Sequence, residues 1–400
     1  MTTPGAAWIG AADACRLLAV TRATLYAYVS RGYVRSQAAA GQRRTRLYAR
    51  EDVERLRRRT EERRAPDKAA ARALTWGMPV LESSITLIDG RAIYYRGQDA
   101  AALAASHSLE AVATLLWAGP SAGDAPPRAR DRSAAPPRHL PFVARAQCLL
   151  AAAAARDPRA LDRRPAAASA AGFAILHLLL RAAGAGVGSR APAHAALARL
   201  WKVDGRGAEV IRGALVLCAD HELNVSCFAA RCVASAGAHL YAAVIAGLAA
   251  IEGPKHGGAA VRVEAMLEAM RRARPLSAAV AARLRRGEPI DGFGHPLYAE
   301  GDPRARVLLA LLRERYAGSA EYRFVAAFAD AVTAATGERP NVDFALAAAA
   351  RVLRLPAGSP LVLFAIARSV GWIAHAIEQH ATEQLIRPRA KYVGVCPPAG

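Results

Sequence analysis

The chain has 400 residues, 53% of them hydrophobic, so it can bury a sizeable core in two or three domains and is not a disordered protein. The formal net charge is +21, but only four of the 54 basic residues are lysines, and an excess of arginine beside alanine is typical of a GC-rich genome. The total charge is therefore weak support for nucleic-acid binding. Its distribution is more informative, because residues 1–73 hold 16 Arg or Lys against 7 Asp or Glu.

The first 60 residues have a pattern of their own. Residues 11–18 and 22–30 predict two short helices, the second capped by Thr21 and ended by Gly32. An extended piece follows with an arginine-rich turn over residues 41–46, and residues 48–53 begin a third helix. Two short helices, a basic hairpin and another helix resemble the winged helix-turn-helix of excisionase or MerR-like proteins. Residues 1–60 are therefore predicted to form a separate first domain.

DNA binding is the function that this resemblance implies. In such a module the second helix enters the major groove, and other basic residues contact phosphates. The candidate DNA-binding residues are Arg22, Thr24 and Tyr26 on the second helix and Arg43, Arg44 and Arg46 in the basic turn. The alternative is a small helical domain used for protein contacts.

Beyond residue 60 the chain is predicted to be mainly α-helical. Residues 61–75 are typical of a linker or helical extension, and residues 82–97 predict a small hairpin. Alanine content and apolar periodicity then predict helices, apart from a Pro-rich mobile loop at 119–141 and a glycine-rich loop at 184–188 that lacks a phosphate-binding pattern. No series of strands would build a dinucleotide-binding sheet, which argues against a nicotinamide enzyme.

The six cysteines have no pair at metal-binding spacing and lie mostly in apolar runs, as expected for reduced thiols of a cytoplasmic protein. No signal-peptide pattern opens the sequence. The longest uncharged run, residues 232–251, is about long enough to cross a bilayer. It is mostly Ala and Gly and carries Ser235, His239 and Tyr241. We therefore predict one buried helix there, at a position where small side chains would let two subunits approach closely, and no membrane span.

Residues 291–304 place a base and an anion-binding group close together. His295 lies in a loop where Gly292 and Gly294 allow tight turns, and Arg304 directly follows a proline, which is typical of a helix start. A histidine exchanges a proton near neutral pH, and a guanidinium holds a carboxylate through two hydrogen bonds. The segment can therefore bind an acidic substrate and act on it. The alternative is a glycine-rich loop that ends in a salt-bridging arginine.

Further polar groups occur in apolar helical surroundings. They are found in residues 220–226, residues 253–258, residues 341–343, Arg368 and residues 387–390. Each alone has a structural alternative: His221 or Asp343 can cap a helix, and Arg368 can pair with a buried carboxylate. His221 with Glu222 lacks the HExxH spacing of a zinc site, so we predict no metal.

Taken in order, these motifs resemble the citrate synthase family over about residues 82–394. The motifs are His221-Glu222-Leu223-Asn224, Gly253-Pro254 with His256-Gly257-Gly258, Gly292-Phe293-Gly294-His295, Asp302-Pro303-Arg304, Asn341-Val342-Asp343 and Arg387-Pro388-Arg389. The resemblance implies a mainly α two-domain fold that forms a homodimer or higher homo-oligomer. The large domain would comprise residues 76–256 and 362–400, and the small domain residues 257–361.

The resemblance also implies the role of each residue in an acyltransferase that converts acyl groups into alkyl groups on transfer. Asp343 would take a proton from the methyl group of acetyl-CoA, and His256 would stabilise the enolate oxygen. His295 would polarise and then protonate the ketone of oxaloacetate. The substrate-binding residues would be His221, Arg304, Arg368 and, from the other subunit, Arg387. No metal or redox cofactor is required, since acyl-CoA is a substrate.

Two departures from the family pattern concern coenzyme A. Pro296 and Ala299 stand where family members often have an arginine and a lysine, and residues 253–261 read GPKHGGAAV. They leave acetyl-CoA and propionyl-CoA both open, the products being citrate and 2-methylcitrate. The alternative function is a DNA-binding transcriptional regulator whose synthase-like body senses oxaloacetate, citrate or acyl-CoA.

Overall fold

A computed structural model of the chain describes residues 8–39, 42–64, 81–119, 139–185, 191–390 and 392–395, with the backbone alone at residues 39, 42–44 and 58–64. The chain divides into two compact units, Met1–Glu82 and Ser83–Gly400. The linker and the two loops predicted at residues 61–75, 119–141 and 184–188 fall mostly outside the described residues.

The described residues of the first unit form a three-stranded sheet and three helices. Its elements are β1 (Trp8–Gly10), α1 (Ala11–Leu18), α2 (Arg22–Ser30), β2 (Ser36–Ala39), β3 (Gln42–Ala49) and α3 (Arg50–Arg64). The sheet order is β1-β3-β2, with antiparallel pairs. Both short helices are confirmed, and Thr21 Oγ1 accepts the backbone N–H of Thr24 at 3.3 Å. The first unit buries Leu25, Val34, Tyr48 and Val53 at its centre.

Two local predictions in this unit were wrong. The third helix begins at Arg50, because Tyr48 and Ala49 still pair with the neighbouring strands, Tyr48 with Ser36 and Ala49 with Trp8. For the same reason residues 42–46 are part of β3 and not a turn. Pairing between strands therefore decides where the strand ends.

In its described residues, the second unit begins with the predicted hairpin and then consists of helices and connecting segments. The strands are β4 (Thr86–Ile88), β5 (Ile93–Tyr95) and β6 (Gln98–Asp99), joined antiparallel in that order. The helices are α4 (Ala100–Ser106), α5 (Leu109–Ala118), α6 (Phe142–Ala154), α7 (Pro165–Ala183), α8 (Ala193–Leu200), α9 (Gly205–Leu217), α10 (Val225–Ser235), α11 (Leu240–Ile251), α12 (Gly258–Met270), α13 (Leu276–Arg285), α14 (Pro303–Tyr316), α15 (Ala320–Thr336), α16 (Val342–Val352) and α17 (Ser359–Thr382).

The uncharged run at residues 232–251 is not one helix, as predicted, but two. Helix α10 ends at Ser235 and α11 begins at Leu240. Gly237 adopts a φ of +86°, which is incompatible with an α-helix. The ring of His239 then caps the next helix by accepting the backbone N–H of Ala242. The break therefore comes from local capping that apolar content does not reveal.

Helix α17 is the central element of the second unit. It packs against α5, α7, α9, α10 and α11, and Trp372 at its middle is fully buried. A helix surrounded in this way is apolar on every side. Helices α7 and α17 are long and apolar enough to cross a membrane by length and composition, but both are mostly buried in the fold, and core helices pass the same test.

Helix α16 is enclosed in the same manner. It packs against α12, α14, α15 and α17, so residues 344–350 are all buried. Small alanines at these positions let four neighbours approach one helix. Asp343 lies in its first turn and is partly buried. The predicted boundary of a small domain at residues 257–361 remains a prediction.

Candidate active site

The predicted catalytic and binding residues of the second unit come from six separate segments. They are His221 between α9 and α10, His256 before α12, His295 between α13 and α14, Arg304 in α14, Asp343 in α16 and Arg368 in α17. The charges of Arg304 and Arg368 act on both His221 and Asp343, which places these groups in one cluster.

His221, His295 and Tyr298 form the polar wall of the site. The phenol oxygen of Tyr298 lies 2.7 Å from His221 Nε2, and the two imidazole rings have their centres 5.4 Å apart. His221 is buried, and burial together with the charges of Arg304 and Arg368 lowers its pKa well below the usual value. His221 is therefore a neutral ring at physiological pH.

His295 is held at the start of a tight loop. Its Nδ1 accepts the backbone N–H of Leu297 at 3.2 Å, so the neutral ring carries its proton on Nε2. Burial, reinforced by the charge of Arg304, lowers its pKa to about 4. A neutral imidazole with a fixed proton on Nε2 is a hydrogen-bond donor.

The loop that carries His295 is tied to the helix that carries Asp343. Asn341 donates its backbone N–H to the carbonyl of Gly292 at 2.9 Å and its side-chain amide to the carbonyl of Gly294 at 3.1 Å. Gly292 has a φ of +89°, and a Cβ there would lie 2.9 Å from Cβ of Phe344. Only glycine therefore allows this close approach.

Asp343 is a partly buried carboxylate whose pKa is raised by desolvation. Asn341 caps α16, its Oδ1 accepting the backbone N–H of Asp343 at 3.0 Å. Burial raises the pKa of Asp343 to about 6, in spite of the nearby charge of Arg304. A carboxylate with that pKa is ionised at pH 7 but accepts a proton more readily than an ordinary aspartate.

Arg304 and Asp302 form a buried ion pair at the N-terminus of α14. Nε and Nη2 of Arg304 donate to the two carboxylate oxygens at 3.0 and 2.8 Å, and the backbone N–H of Val342 donates to Oδ2 of Asp302 at 3.0 Å. Burial alone would raise the pKa of Asp302, but Arg304 holds it below its ordinary value. Asp302 thus fixes the orientation of Arg304 and joins α14 to α16.

His256 lies on the other side of the cluster. Its Nε2 is 2.8 Å from the hydroxyl of Ser226, and its ring meets that of Phe364 edge to face at 5.7 Å. Burial, followed by the charge of Arg368, lowers its pKa to about 4. His256 and His295 are therefore both neutral at the pH where Asp343 is ionised.

Arg368 presents a buried guanidinium edge that no described residue satisfies. Its Nε donates to the carbonyl of Cys218 at 2.9 Å and its Cζ lies 4.7 Å from the centre of the Phe364 ring, whereas Nη2 has no hydrogen-bond partner among the described residues. An unpaired donor on a buried cation is costly. An anion such as a carboxylate would satisfy it.

Asp220, the residue before His221, is fixed by buried polar contacts. Its carboxylate accepts the hydroxyl of Thr86 at 2.6 Å and pairs with His375 Nε2 at 3.3 Å. Asp220, Cys227 and His375 are fully buried with their ligand atoms within 4.8 Å of one another, close enough for a metal ion, a group that the sequence analysis, which predicted no metal, did not consider. Cys227 lies 3.5 Å from the same carboxylate oxygen as His375. Asp220 is thus the shared acceptor of the group.

The remaining predicted residues lie elsewhere. Arg387 is exposed after the end of α17, where no described residue pairs with it. In the first unit, Arg22, Tyr26 and Arg46 line one cavity of about 680 Å³. Thr24 lies beside Thr21, with 3.0 Å between the hydroxyl oxygens. The side chains of Arg43 and Arg44 lie outside the described residues.

Sequence reasoning missed three supporting residues of the site. Tyr298 contacts His221, Asp302 orients Arg304, and Ser226 contacts His256. All three lie in the segments already identified, within five residues of a predicted site residue. Their position within those segments was the only indication available from the sequence.

The comparisons with known proteins agree on one family. Residues 73–389 match the family model described as citrate synthase, C-terminal domain. A putative citrate synthase 2 of Mycobacterium tuberculosis is 40% identical over 201 residues, which are 48% of this chain and 53% of that protein. A 2-methylcitrate synthase 2 of Corynebacterium glutamicum is 36% identical over 183 residues, 45% of this chain and 48% of that protein. The chain thus spans about half the length of the curated relatives it matches.

The fold is also that of a solved structure. The citrate synthase of Thermoplasma acidophilum, in a ternary complex with carboxymethyl coenzyme A and oxaloacetate, superposes with a TM-score of 0.67 at 24% identity. The match covers 81% of this chain and 96% of that one. At this identity the likeness shows the fold alone.

Proposed function

The chain belongs to the citrate synthase family, and from this premise we propose that it is an acyltransferase that condenses acetyl-CoA with oxaloacetate to give citrate and CoA. The observation that supports the proposal is the cluster of polar groups described above. A carboxylate of raised pKa, three neutral histidines and two buried guanidinium groups converge from six segments. One base, two hydrogen-bond donors and an anion-binding pair are what this condensation needs.

Oxaloacetate is the substrate that the cationic side of the cluster fits. The unpaired Nη2 of Arg368 would bind one carboxylate, and Arg304 and His221 would bind beside it. Arg387 would reach the site from a second copy of the chain, which makes the active enzyme a homodimer. One carboxylate of this dianion would thereby satisfy the buried donor of Arg368 that otherwise has no partner among the described residues.

Formation of the carbon–carbon bond would be accompanied by two proton transfers. Asp343 takes a proton from the methyl group of the thioester, and the enolate oxygen accepts a hydrogen bond from His256. The enolate carbon then attacks the ketone of oxaloacetate, whose oxygen takes the proton from Nε2 of His295, and the proton held by Asp343 returns through solvent to restore the neutral ring of His295. Water hydrolyses the resulting thioester and releases citrate and CoA. Each fixed donor in a dry site contributes about 3 kcal/mol to stabilisation of the transition state.

The tautomer of His256 decides whether it can donate. The hydroxyl of Ser226 lies 2.8 Å from both His256 Nε2 and Asn224 Oδ1 and can donate to only one of them. When it donates to Nε2, the proton of the neutral ring is on Nδ1, which is the nitrogen we assign to the enolate oxygen. In the structure the hydroxyl donates to Asn224 Oδ1, so this mechanism requires it to rotate and donate to His256 Nε2 instead.

Acetyl-CoA is the first choice of substrate and propionyl-CoA the alternative. Both are considered because the chain matches a relative named as a citrate synthase and another named as a 2-methylcitrate synthase. A pocket discriminates one methylene by only about 1–3 kcal/mol. The test is release of CoA thiol with either thioester, oxaloacetate being added or omitted. Oxaloacetate-dependent release supports the proposal, whereas silence with both thioesters, or full activity of Asp343→Ala, refutes it.

The second candidate function is DNA binding by the first unit, in the cytoplasm. The arrangement of α1, α2 and the β2–β3 hairpin fits a winged helix-turn-helix, and Arg22, Tyr26 and Arg46 line a common cavity. The synthase-like unit would then sense oxaloacetate, citrate or acyl-CoA. A gel shift whose midpoint weakens with salt would support DNA binding. Unchanged binding by a variant with Arg22→Ala and Arg46→Ala would count against these contacts.

A further inference from the structure

Arg262 on α12 links two segments that carry predicted catalytic histidines. Its Nη1 donates to the carbonyl of Pro254, two residues before His256. Its Nε and Nη2 lie 2.9 and 2.8 Å from Oδ1 of Asp291, four residues before His295. One guanidinium therefore spans the two loops, which are otherwise far apart in the sequence.

The loop on the Asp291 side is seated between α12 and α16. A Cβ on Gly292 would lie 3.0 Å from Val263, the neighbour of Arg262, and 2.9 Å from Phe344, the neighbour of Asp343. The contacts of Arg262 and the close approach at Gly292 therefore act on the same short stretch of chain. A shift of this stretch would move His295 relative to Asp343.

The charge of Arg262 also reaches Asp343. The charged groups that face this carboxylate are Arg304, Asp302, Arg262 and Arg368. Burial raises the pKa of Asp343 to about 6, and Arg262 is one of three arginines that oppose the rise. Arg304 is paired with Asp302 and Arg262 with Asp291, and Arg262 is the arginine that acts from the α12 side.

We propose that Arg262 is a positioning residue of the active site, which holds the loops of His256 and His295 in register around Asp343. It touches neither substrate in this assignment. The inference rests on the proposed function, because it concerns the geometry of the same reaction. It adds a residue from α12 that the motifs do not contain.

The test compares Arg262→Gln and Arg262→Lys with Arg272→Gln, which removes an exposed arginine just beyond the end of the same helix. The Arg262 side chain is 43% exposed and that of Asp291 15% exposed, so water can replace the guanidinium and the glutamine variant is expected to fold. Circular dichroism and thermal unfolding check this for all three variants.

For Arg262→Gln we expect kcat to fall by about tenfold to a hundredfold, the range that misplacement of reacting groups causes. The acid limb of the kcat/KM profile should move to higher pH, and KM for oxaloacetate should change less than twofold. Arg262→Lys keeps the charge and should retain the wild-type acid limb with a partial loss of kcat. A glutamine variant with the kcat and acid limb of Arg272→Gln would overturn the proposal, as would equal losses in the lysine and glutamine variants.

A second readout separates failure of this inference from failure of the proposed function. The carboxyl resonance of Asp343 is followed by NMR titration in protein with ¹³C-labelled aspartate and assigned with Asp343→Asn. If the wild type shows no turnover, the proposed function fails, and the inference stands or falls on this titration. A higher pKa of Asp343 in Arg262→Gln supports the role of Arg262, and an unchanged pKa refutes it.

Discussion

The substitution Asp343→Asn is expected to abolish activity and to stabilise the folded chain. Burial raises the pKa of Asp343 from the ordinary value of 3.8 to about 6. Ionising this carboxyl group in the folded chain therefore costs about 3 kcal/mol more than in the unfolded chain, at 1.36 kcal/mol for each pH unit. Asparagine has nearly the same shape without the charge, so it does not bear that cost.

The sign of the effect depends on pH. Because the folded pKa lies above the unfolded one, protonated Asp343 favours folding at low pH, and this contribution is lost as pH rises through about 6. The difference in unfolding free energy between Asp343→Asn and wild type should therefore grow from pH 4 to pH 8. It should be about 2.4 kcal/mol larger at pH 8 than at pH 4, because the unfolded carboxyl is already partly ionised at pH 4. A constant cost of placing the amide cancels in this comparison.

Urea unfolding at several pH values measures the stability, and CoA release measures the activity. We expect the variant to lose about a hundredfold to ten-thousandfold of the wild-type rate, as for removal of a general base. Asp330→Asn, at an exposed position of α15, is the control and should change neither quantity. A stability difference that does not vary with pH, or a variant as active as wild type, would refute the assignment of Asp343 as a buried base.

Three further substitutions test the surroundings of the site. Tyr298→Phe removes the 2.7 Å contact with His221 and should raise KM for oxaloacetate, by about tenfold for a hydrogen bond of this kind, in steady-state assays. Arg368→Lys cannot keep the bond to a backbone carbonyl and also bind a carboxylate, so KM for oxaloacetate should rise while KM for the thioester stays the same. Asp302→Asn leaves Arg304 buried without its counter-ion and should lower the unfolding free energy by about 3–5 kcal/mol at pH 7. Because the pKa of Asp302 is lowered in the fold, this loss should shrink as the pH falls through its titration, which thermal unfolding can follow.

The sequence by itself determined the local elements whose causes are local. Helices α1 and α2 were predicted with their observed bounds, because the Thr21 cap and a short apolar pattern lie within each segment. The hairpin of β4 and β5 was also predicted, from residues 82–97. The ordered motifs of the second unit indicated the family, which the match over residues 73–389 confirms.

The tertiary structure alone decided how those motifs support one another. No local pattern indicates that Asp302 accepts the backbone N–H of Val342 or that Arg262 spans Pro254 and Asp291, since these contacts join segments that meet only after the helices pack. The same holds for the pKa of Asp343, because burial between four helices sets it, and burial is a property of the packed fold. Sequence order therefore identifies the chemical groups, and packing sets their distances, their partners and their charge.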